Sequence, residues 1–402
     1  MRRTLLRALP ALLALATTAP AGALTLPVPV PALAVTPACG TALTPAVARC
    51  HALRVTSAEP LGGSGPGGGY SPNDLKAAYA LDPTRGAGHT IAIVDAYDNP
   101  NADADLATYR AQFGLPACTI ANGCFTQVEQ RGVPLTAQTR ALGFAPPGDV
   151  GWGQEIALDV DMASAICPLC KILLVEADSA SILDLAQAVQ TAVALGATEV
   201  SNSYGAPEFN GELDVEAAYT HPGIVITASS GDSGYGVQYP AAAAGVVAVG
   251  GTRLVQAATT PRGWSETVWN GAGSGCSLYV PKPVWQQDTG CANRTVADVS
   301  AVADPGTGVS VYDTYGSGGW LVFGGTSVSA PIIAGVYALN GHTASPPVPP
   351  AAWLYRSTGG LNDVTSGSNG ACSPSYLCTG VPGYDGPTGL GTPKGSVAFG
   401  PA

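Results

Sequence analysis

Gly324-Gly325-Thr326-Ser327-Val328-Ser329-Ala330-Pro331 runs directly into an apolar stretch, Ile332 to Leu339. A glycine pair ahead of Thr-Ser lets the backbone turn sharply. The run behind it has the small residues and the spacing of a buried helix. Ser327 is therefore expected where a loop enters a helix, where free N–H groups and the helix dipole favour developing negative charge. That is a seat for a nucleophilic serine. It is equally a seat for a helix cap, a role Ser and Thr fill routinely. The nucleophile reading requires a base, a group that orients it and an oxyanion stabiliser elsewhere in the chain.

The whole chain narrows the field. Its 402 residues are 46% hydrophobic and 11% charged, with a formal net charge of −11. Such a composition buries a large core and is far from that of disordered proteins. Sparse Lys and Arg argue against nucleic acid or an anionic membrane as partner. Repulsion among acidic groups falls as pH drops, which suits a protein working in acid. Residues 1–23 read as a secretory signal: Arg2 and Arg3, then the apolar Leu5 to Ala16, then Ala21-Gly22-Ala23 as a small-residue cleavage site. No later segment supplies about eighteen uninterrupted apolar residues. A secreted, extracellular protein free of the membrane is expected, with a retained anchor as the alternative.

Ten cysteines fit that compartment. They fall as close pairs: Cys39 and Cys50, Cys118 and Cys124, Cys167 and Cys170, Cys276 and Cys291, Cys372 and Cys378. Proximity suggests five local disulfides. Cys167-Pro-Leu-Cys170 also has the form of a redox or zinc half-site, without a second ligand pair nearby. Leu24 to Pro37 is rich in Pro and Ala and reads as extended. The glycine run from Gly62 to Gly69 reads as a flexible linker and the clearest boundary. The organisation is thus a signal (1–23), a short Pro/Gly-rich pro-segment and linker (24–69) and one large domain (70–402).

Within that domain, strands and helices alternate. Thr90 to Ala96, Lys171 to Ala177, Val200 to Tyr204, Gly223 to Ala228 and Val246 to Val249 read as β-rich runs; Ala102 to Phe113 and Ser181 to Leu195 read as helices. Apolar strands separated by helices imply an α/β fold with a mostly parallel sheet covered on both faces. Reactive groups then gather at the carboxyl ends of the strands.

Two acidic stretches stand out. Gly151-Trp152-Gly153-Gln154-Glu155-Ile156-Ala157-Leu158-Asp159-Val160-Asp161 continues at helical spacing through Met162, Ala165 and Ile166. Glu155 and Asp159, four apart, share one helix face, where each raises the other's proton affinity and Asp159 can orient Glu155 as a general base. The alternative is a pair of solvated surface acids, although the surrounding text is almost free of charge. Ile226-Thr227-Ala228-Ser229-Ser230-Gly231-Asp232-Ser233-Gly234 presents Asp232 at a strand end. Asp232 there is a turn residue or, when protonated, a hydrogen-bond donor to an oxyanion. The four histidines, His51, His89, His221 and His342, lie in no context that would make one the base, and all read as structural or exposed.

Taken together, Glu-x-x-x-Asp, S-G-D and G-T-S-x-S resemble the sedolisins, serine-carboxyl peptidases with a subtilisin-like fold, from about Tyr70 to the C-terminus. The resemblance implies a three-layer fold, a twisted, mostly parallel sheet flanked by helices. It implies Ser327 as nucleophile, Glu155 as its base, Asp159 as the orienter and Asp232 as oxyanion donor, a set that works in acid. It also implies one structural Ca2+ near the C-terminus, held by Asp363 and Asp385 carboxylates and by backbone oxygens of Val364, Val381 and Gly383. Ser201-Asn202-Ser203-Tyr204-Gly205 resembles the family's substrate-pairing strand, with Tyr204 where Trp is common. Val381 stands where glycine is common. The segment before the domain is far shorter than a sedolisin prodomain. The implied function is a monomeric endopeptidase acting on protein or peptide substrates. A tripeptidyl-peptidase, a silent peptide- or cell-wall-binding relative and a metal-dependent hydrolase are the alternatives.

Overall fold

A row of fully buried residues, Ile91 to Val94, runs through the middle of the molecule because both faces of its strand are covered. Side chains alternate across the strand. Ile91 and Ile93 join the core under the helices Ala102–Gln112, Val150–Ile166 and Thr326–Asn340. Ala92, Val94 and Ala96 join a second core under the helix Ile182–Ala194. The computed structural model describes residues 33–41, 44–57, 62–342 and 348–401. The expected signal, residues 1–23, and the start of the pro-segment, residues 24–32, lie outside the described residues.

The sheet has eight strands. Seven follow the order Trp264–Val268, Val247–Gln256, Val225–Ser229, Glu199–Asn202, Thr90–Ala96, Lys171–Ala177 and Phe125–Glu129, with Val299–Val302 also paired to Val247–Gln256. Pairing is parallel except at Trp264–Val268. The expected strands Thr90–Ala96 and Lys171–Ala177 are found at those bounds. The expected run Val200–Tyr204 breaks at Ser203. Glu199–Asn202 stays in the central sheet, while Tyr204–Pro207 turns away to pair with Arg49–Cys50 and Gln238–Tyr239.

All five disulfides join the cysteines that sequence proximity pairs. Cys167–Cys170 is one of them, so neither cysteine is a free redox or zinc ligand. Five such bonds suit an oxidising compartment. Among the described residues, no helix is long and apolar enough to cross a membrane.

The glycine run is not a loose linker. Gly63 N–H donates to the Gly68 carbonyl and Gly65 N–H to the Gly69 carbonyl. A Cβ on Gly69 would stand 2.5 Å from Ser310 N. The run folds against the strand Val309–Asp313, and glycine is required there for close approach. Upstream, Val35–Pro37 pairs with Leu53–Val55, which pairs in turn with Gly319–Gly324, the strand leading into the Ser327 helix. Residues from Leu33 onward form one compact unit.

Candidate active site

Ser327 is the second residue of the helix Thr326–Asn340 and is fully buried. Gly325, at φ 99°, makes the turn that sets it there. Pro331 has no N–H to close onto the Ser327 carbonyl one turn back. Ser203 Oγ donates to that carbonyl instead, at 3.3 Å. In return, Ser327 Oγ donates to the Ser203 carbonyl at 3.3 Å, long enough to be exchanged readily for a closer acceptor.

Glu155 and Asp159 sit one turn apart on the helix Val150–Ile166, which packs against the serine helix. Both are fully buried, so they are not the solvated pair of the alternative reading. Burial, then the Asp159 charge, push the Glu155 carboxyl well above the ordinary range. The Ser327 hydroxyl, near enough to favour ionised Glu155, and the Ala52 N–H pull it part of the way back. Burial and then the Asp95 charge likewise raise Asp159. Glu155 Oε1 and both Asp159 oxygens make no formed hydrogen bond. Protons held on the acids themselves supply the missing donors.

Asp232 lies just past the carboxyl end of Val225–Ser229. Its Oδ1 accepts from Thr326 N and Thr326 Oγ1, both at 2.8 Å. Its Oδ2 is buried without a partner. Burial raises the carboxyl to about 7, against the pull of the two Thr326 hydrogen bonds. It is therefore no mere turn residue: below that pH Oδ2 is an O–H aimed at whatever lies beside it.

What lies beside it is the chain's own peptide. Arg49 and Cys50 pair antiparallel with Gly205 and Tyr204, and His51 N–H donates to the Ser203 carbonyl at 3.2 Å. A Cβ on Gly325 would stand 1.8 Å from the His51 carbonyl oxygen and 2.7 Å from Asp232 Oδ2. Glycine there lets the carbonyl and the acid share one spot. On the other side of the same peptide, Ala52 N–H donates to Glu155 Oε2 at 2.8 Å. The His51 ring is 1% exposed. Its Nδ1 lies 2.7 Å from Ser229 Oγ and its Nε2 3.0 Å from Gln238 Oε1.

Sequence reading thus missed His51, which fills a pocket instead of being merely structural or exposed. It also missed two acids behind the pair. Asp95 and Glu176 face each other in register at the carboxyl ends of neighbouring strands, buried, with Asp95 wholly unpartnered. A carboxylate near the end of an apolar run, Ile91 to Ala96 or Ile172 to Ala177, was the available signal. Tyr204 is no subsite wall. It is fully buried, and its hydroxyl donates to Asn202 Oδ1 at 2.8 Å.

The proposed calcium residues converge at the C-terminal end. Gly383 N–H reaches Asp363 Oδ2 at 2.9 Å, and Val381 N–H reaches Asp385 Oδ2 at 3.3 Å, drawing both carboxylates to one backbone loop. Val364 is buried beside them. Hard oxygen donors gathered in a glycine-containing loop fit calcium.

Residues 153–351 match the subtilase family. Kumamolisin from Bacillus sp. (strain MN-32) is 31% identical over 366 residues, covering 81% of this chain and 62% of that protein. Sedolisin from Pseudomonas sp. (strain 101) is 34% identical over 203 residues, 42% of this chain and 33% of that one. The solved Pseudomonas sedolisin, a serine-carboxyl proteinase complexed with two molecules of pseudo-iodotyrostatin, superposes with a TM-score of 0.67 at 27% identity, over 81% of this chain and 95% of that one. The chain is similar to the sedolisins over most of its length. Its subtilisin-like fold, expected from the motifs, is the fold observed. The chain spans less than two thirds of the length of the kumamolisin and sedolisin sequences it matches.

Proposed function

We propose that this chain is a secreted serine-carboxyl endopeptidase that hydrolyses internal peptide bonds of proteins and peptides in acid. One observation carries the reading. A single peptide group has its carbonyl beside Asp232 Oδ2 and its N–H on Glu155, and the Ser327 hydroxyl, at a helix N-terminus, lies near the same Glu155.

Ser327 Oγ attacks the carbonyl carbon while Glu155 takes its proton. Asp159, protonated, orients Glu155 and prevents a second negative charge beside it. Protonated Asp232 donates through Oδ2 to the oxyanion that forms, and the free N–H groups at the head of the serine helix add to the positive field there. Glu155 then gives its proton to the departing amine, and water releases the acyl group by the same steps in reverse. Acid operation follows, because Asp232 must carry its proton.

Cutting within a chain, as opposed to tripeptide release, is supported by the path upstream of the peptide. Arg49 and Cys50 pair with Gly205 and Tyr204 as part of a continuing chain, so the strand beside the site accepts a segment that has no amino terminus there. One calcium, held by Asp363, Val364, Val381, Gly383 and Asp385, would cross-link the C-terminal loops and take no part in the chemistry.

The test is peptide cleavage from pH 3 to 8, with products read by mass spectrometry, for wild type beside Ser327→Ala and Glu155→Ala. Each variant should stay folded and lose activity by at least about a thousandfold. Activity surviving either change would sink the assignment.

A further inference from the structure

We propose that His89, Glu199 and His342 form a site for one Zn2+, at the end of the sheet away from Ser327. Neither the peptidase reading nor the calcium loop uses these residues.

Three distant stretches of chain meet there. His89 stands just before the strand Thr90–Ala96, and Glu199 opens the strand Glu199–Asn202. Glu199 pairs with Ile91 in register, so the two share the sheet face that lies under the serine helix. His342 follows that helix, two residues after Asn340, with its ring centroid 5.1 Å from that of Trp353. One donor atom from each of the three lies within 4.8 Å of the other two. His89 Nδ1 is 2.8 Å from Glu199 Oε1, and His342 Nε2 is 3.8 Å from the same oxygen. Ligands around a tetrahedral zinc stand about 3.3 Å apart, so each needs to move by less than about 1 Å to seat the ion.

The direction of the donors is a second observation. The Tyr337 carbonyl can only accept, and it lies 3.3 Å from His342 Nδ1, which places the ring proton on that nitrogen. His342 Nε2 therefore turns a lone pair towards the Glu199 carboxylate. Two acceptors face each other in a buried place, and a cation between them satisfies both. Glu199 is fully buried, and its ion pairs among the described residues are with these two histidines, not with a Lys or Arg. A buried carboxylate without a standing positive charge is costly. Its other oxygen is held: Thr198 Oγ1 donates to Oε2 at 2.6 Å, and Thr90 N–H donates to that hydroxyl at 2.9 Å. Oε1 is thus left facing the two rings, the kind of support that orients a metal ligand.

Two imidazole nitrogens and one carboxylate oxygen are a donor set for zinc, with a water completing four. Calcium and magnesium take oxygen ligands instead. As the ion binds, His89 carries its proton on Nε2 and offers Nδ1; its side chain, 12% exposed, gives the way in. Ser327 lies about 20 Å away at the other end of its helix, so the ion does not touch the peptide being cut. It fastens the end of the serine helix to the amino ends of two central strands.

The untagged full chain, in about 1 mM calcium at pH 7.5, should be titrated with ZnCl2 by calorimetry and with CoCl2 by absorption. Wild type is compared with His89→Asn, His342→Phe and His221→Ala. His89→Asn keeps a donor for Glu199 and His342→Phe keeps a ring against Trp353, and the Tm without zinc or cobalt checks that each folds. We expect one Zn2+ per chain with a Kd below about 10 μM, a tetrahedral Co2+ spectrum and a raised Tm. His89→Asn and His342→Phe should each bind more than about a hundredfold more weakly, and His221→Ala should bind as wild type does. Weaker uptake by wild type, an octahedral Co2+ spectrum, or uptake unchanged in either ligand variant would overturn the site. A second proton on His342, in place of an ion, would then be what joins the cluster.

Discussion

Asp232 spends Oδ1 on Thr326 and leaves Oδ2 free, and burial sets its carboxyl near 7. The raised value fixes the sign. The donor form is present below about 7 and is lost as pH rises through it, so kcat/KM should fall about tenfold per unit on the alkaline side. Asp232→Asn keeps a donor at every pH. Its kcat/KM from pH 5 to 9 should lack that limb, and an unchanged limb would show that another group sets it. Asp95 acts at one remove. Its charge helps to raise Asp159, so Asp95→Asn should let Asp159 lose its proton at lower pH and bring the alkaline limb down, while leaving KM within about twofold. Profiles of kcat and KM from pH 4 to 9 separate that shift from simple damage. Glu155, Asp159 and Asp232 stand out in the sequence because each rests on a local pattern: a four-residue spacing, a strand end, a scarcity of charge. Asp95 was not, because its meaning depends on which strands neighbour one another.

Two helices carry the reaction, and their separation is set at a glycine. A Cβ on Gly335 would stand 2.7 Å from Ile166 Cγ2 and 2.8 Å from Ile166 Cβ, so the serine helix and the carboxylate helix touch almost backbone to side-chain root. Gly335→Ala should force them apart by tenths of an ångström. The expected cost is about 1–3 kcal/mol in stability, read by thermal or urea unfolding, with kcat falling more than KM rises. A variant as stable and as active as wild type would mean that the contact yields without effect. The C-terminal loop offers a second test. Calcium at about 1 mM should raise the Tm of wild type, and should do less for Asp363→Ala, whose exposed side chain can be removed without opening a core. Helix and strand positions came readily from apolar periodicity. The break at Ser203 did not, because Tyr204 and Ala206 are as apolar as the strand before them, and only the arrival of Arg49–Cys50 shows why the chain turns aside.

At the scale of the whole molecule, the glycine run does not read as the packed segment it is, because composition reports what a stretch tolerates, and packing against distant chain decides what it does. The same scale governs stability. Buried Asp95, Glu155, Asp159, Asp161 and Glu176 all hold carboxyls well above their ordinary range, with burial the largest cause in each, and Asp232 sits near 7. Between about pH 4 and those raised values the folded chain keeps protons that the unfolded chain gives up. The folded state therefore binds more protons, and stability is fully present below the ordinary carboxylate range and is lost as pH rises through the raised values. His51 opposes this. Burial, then the Arg49 charge, lower it from 6.5 to about 3, so its contribution is present above 6.5 and lost as pH falls towards 3. One imidazole stands against six acids, and the acids win until the histidine's window closes. Unfolding of the Ser327→Ala chain should thus show a Tm several degrees higher at pH 4.5 than at pH 7.5. A Tm that falls on acidification would contradict the proton balance from which the expectation comes.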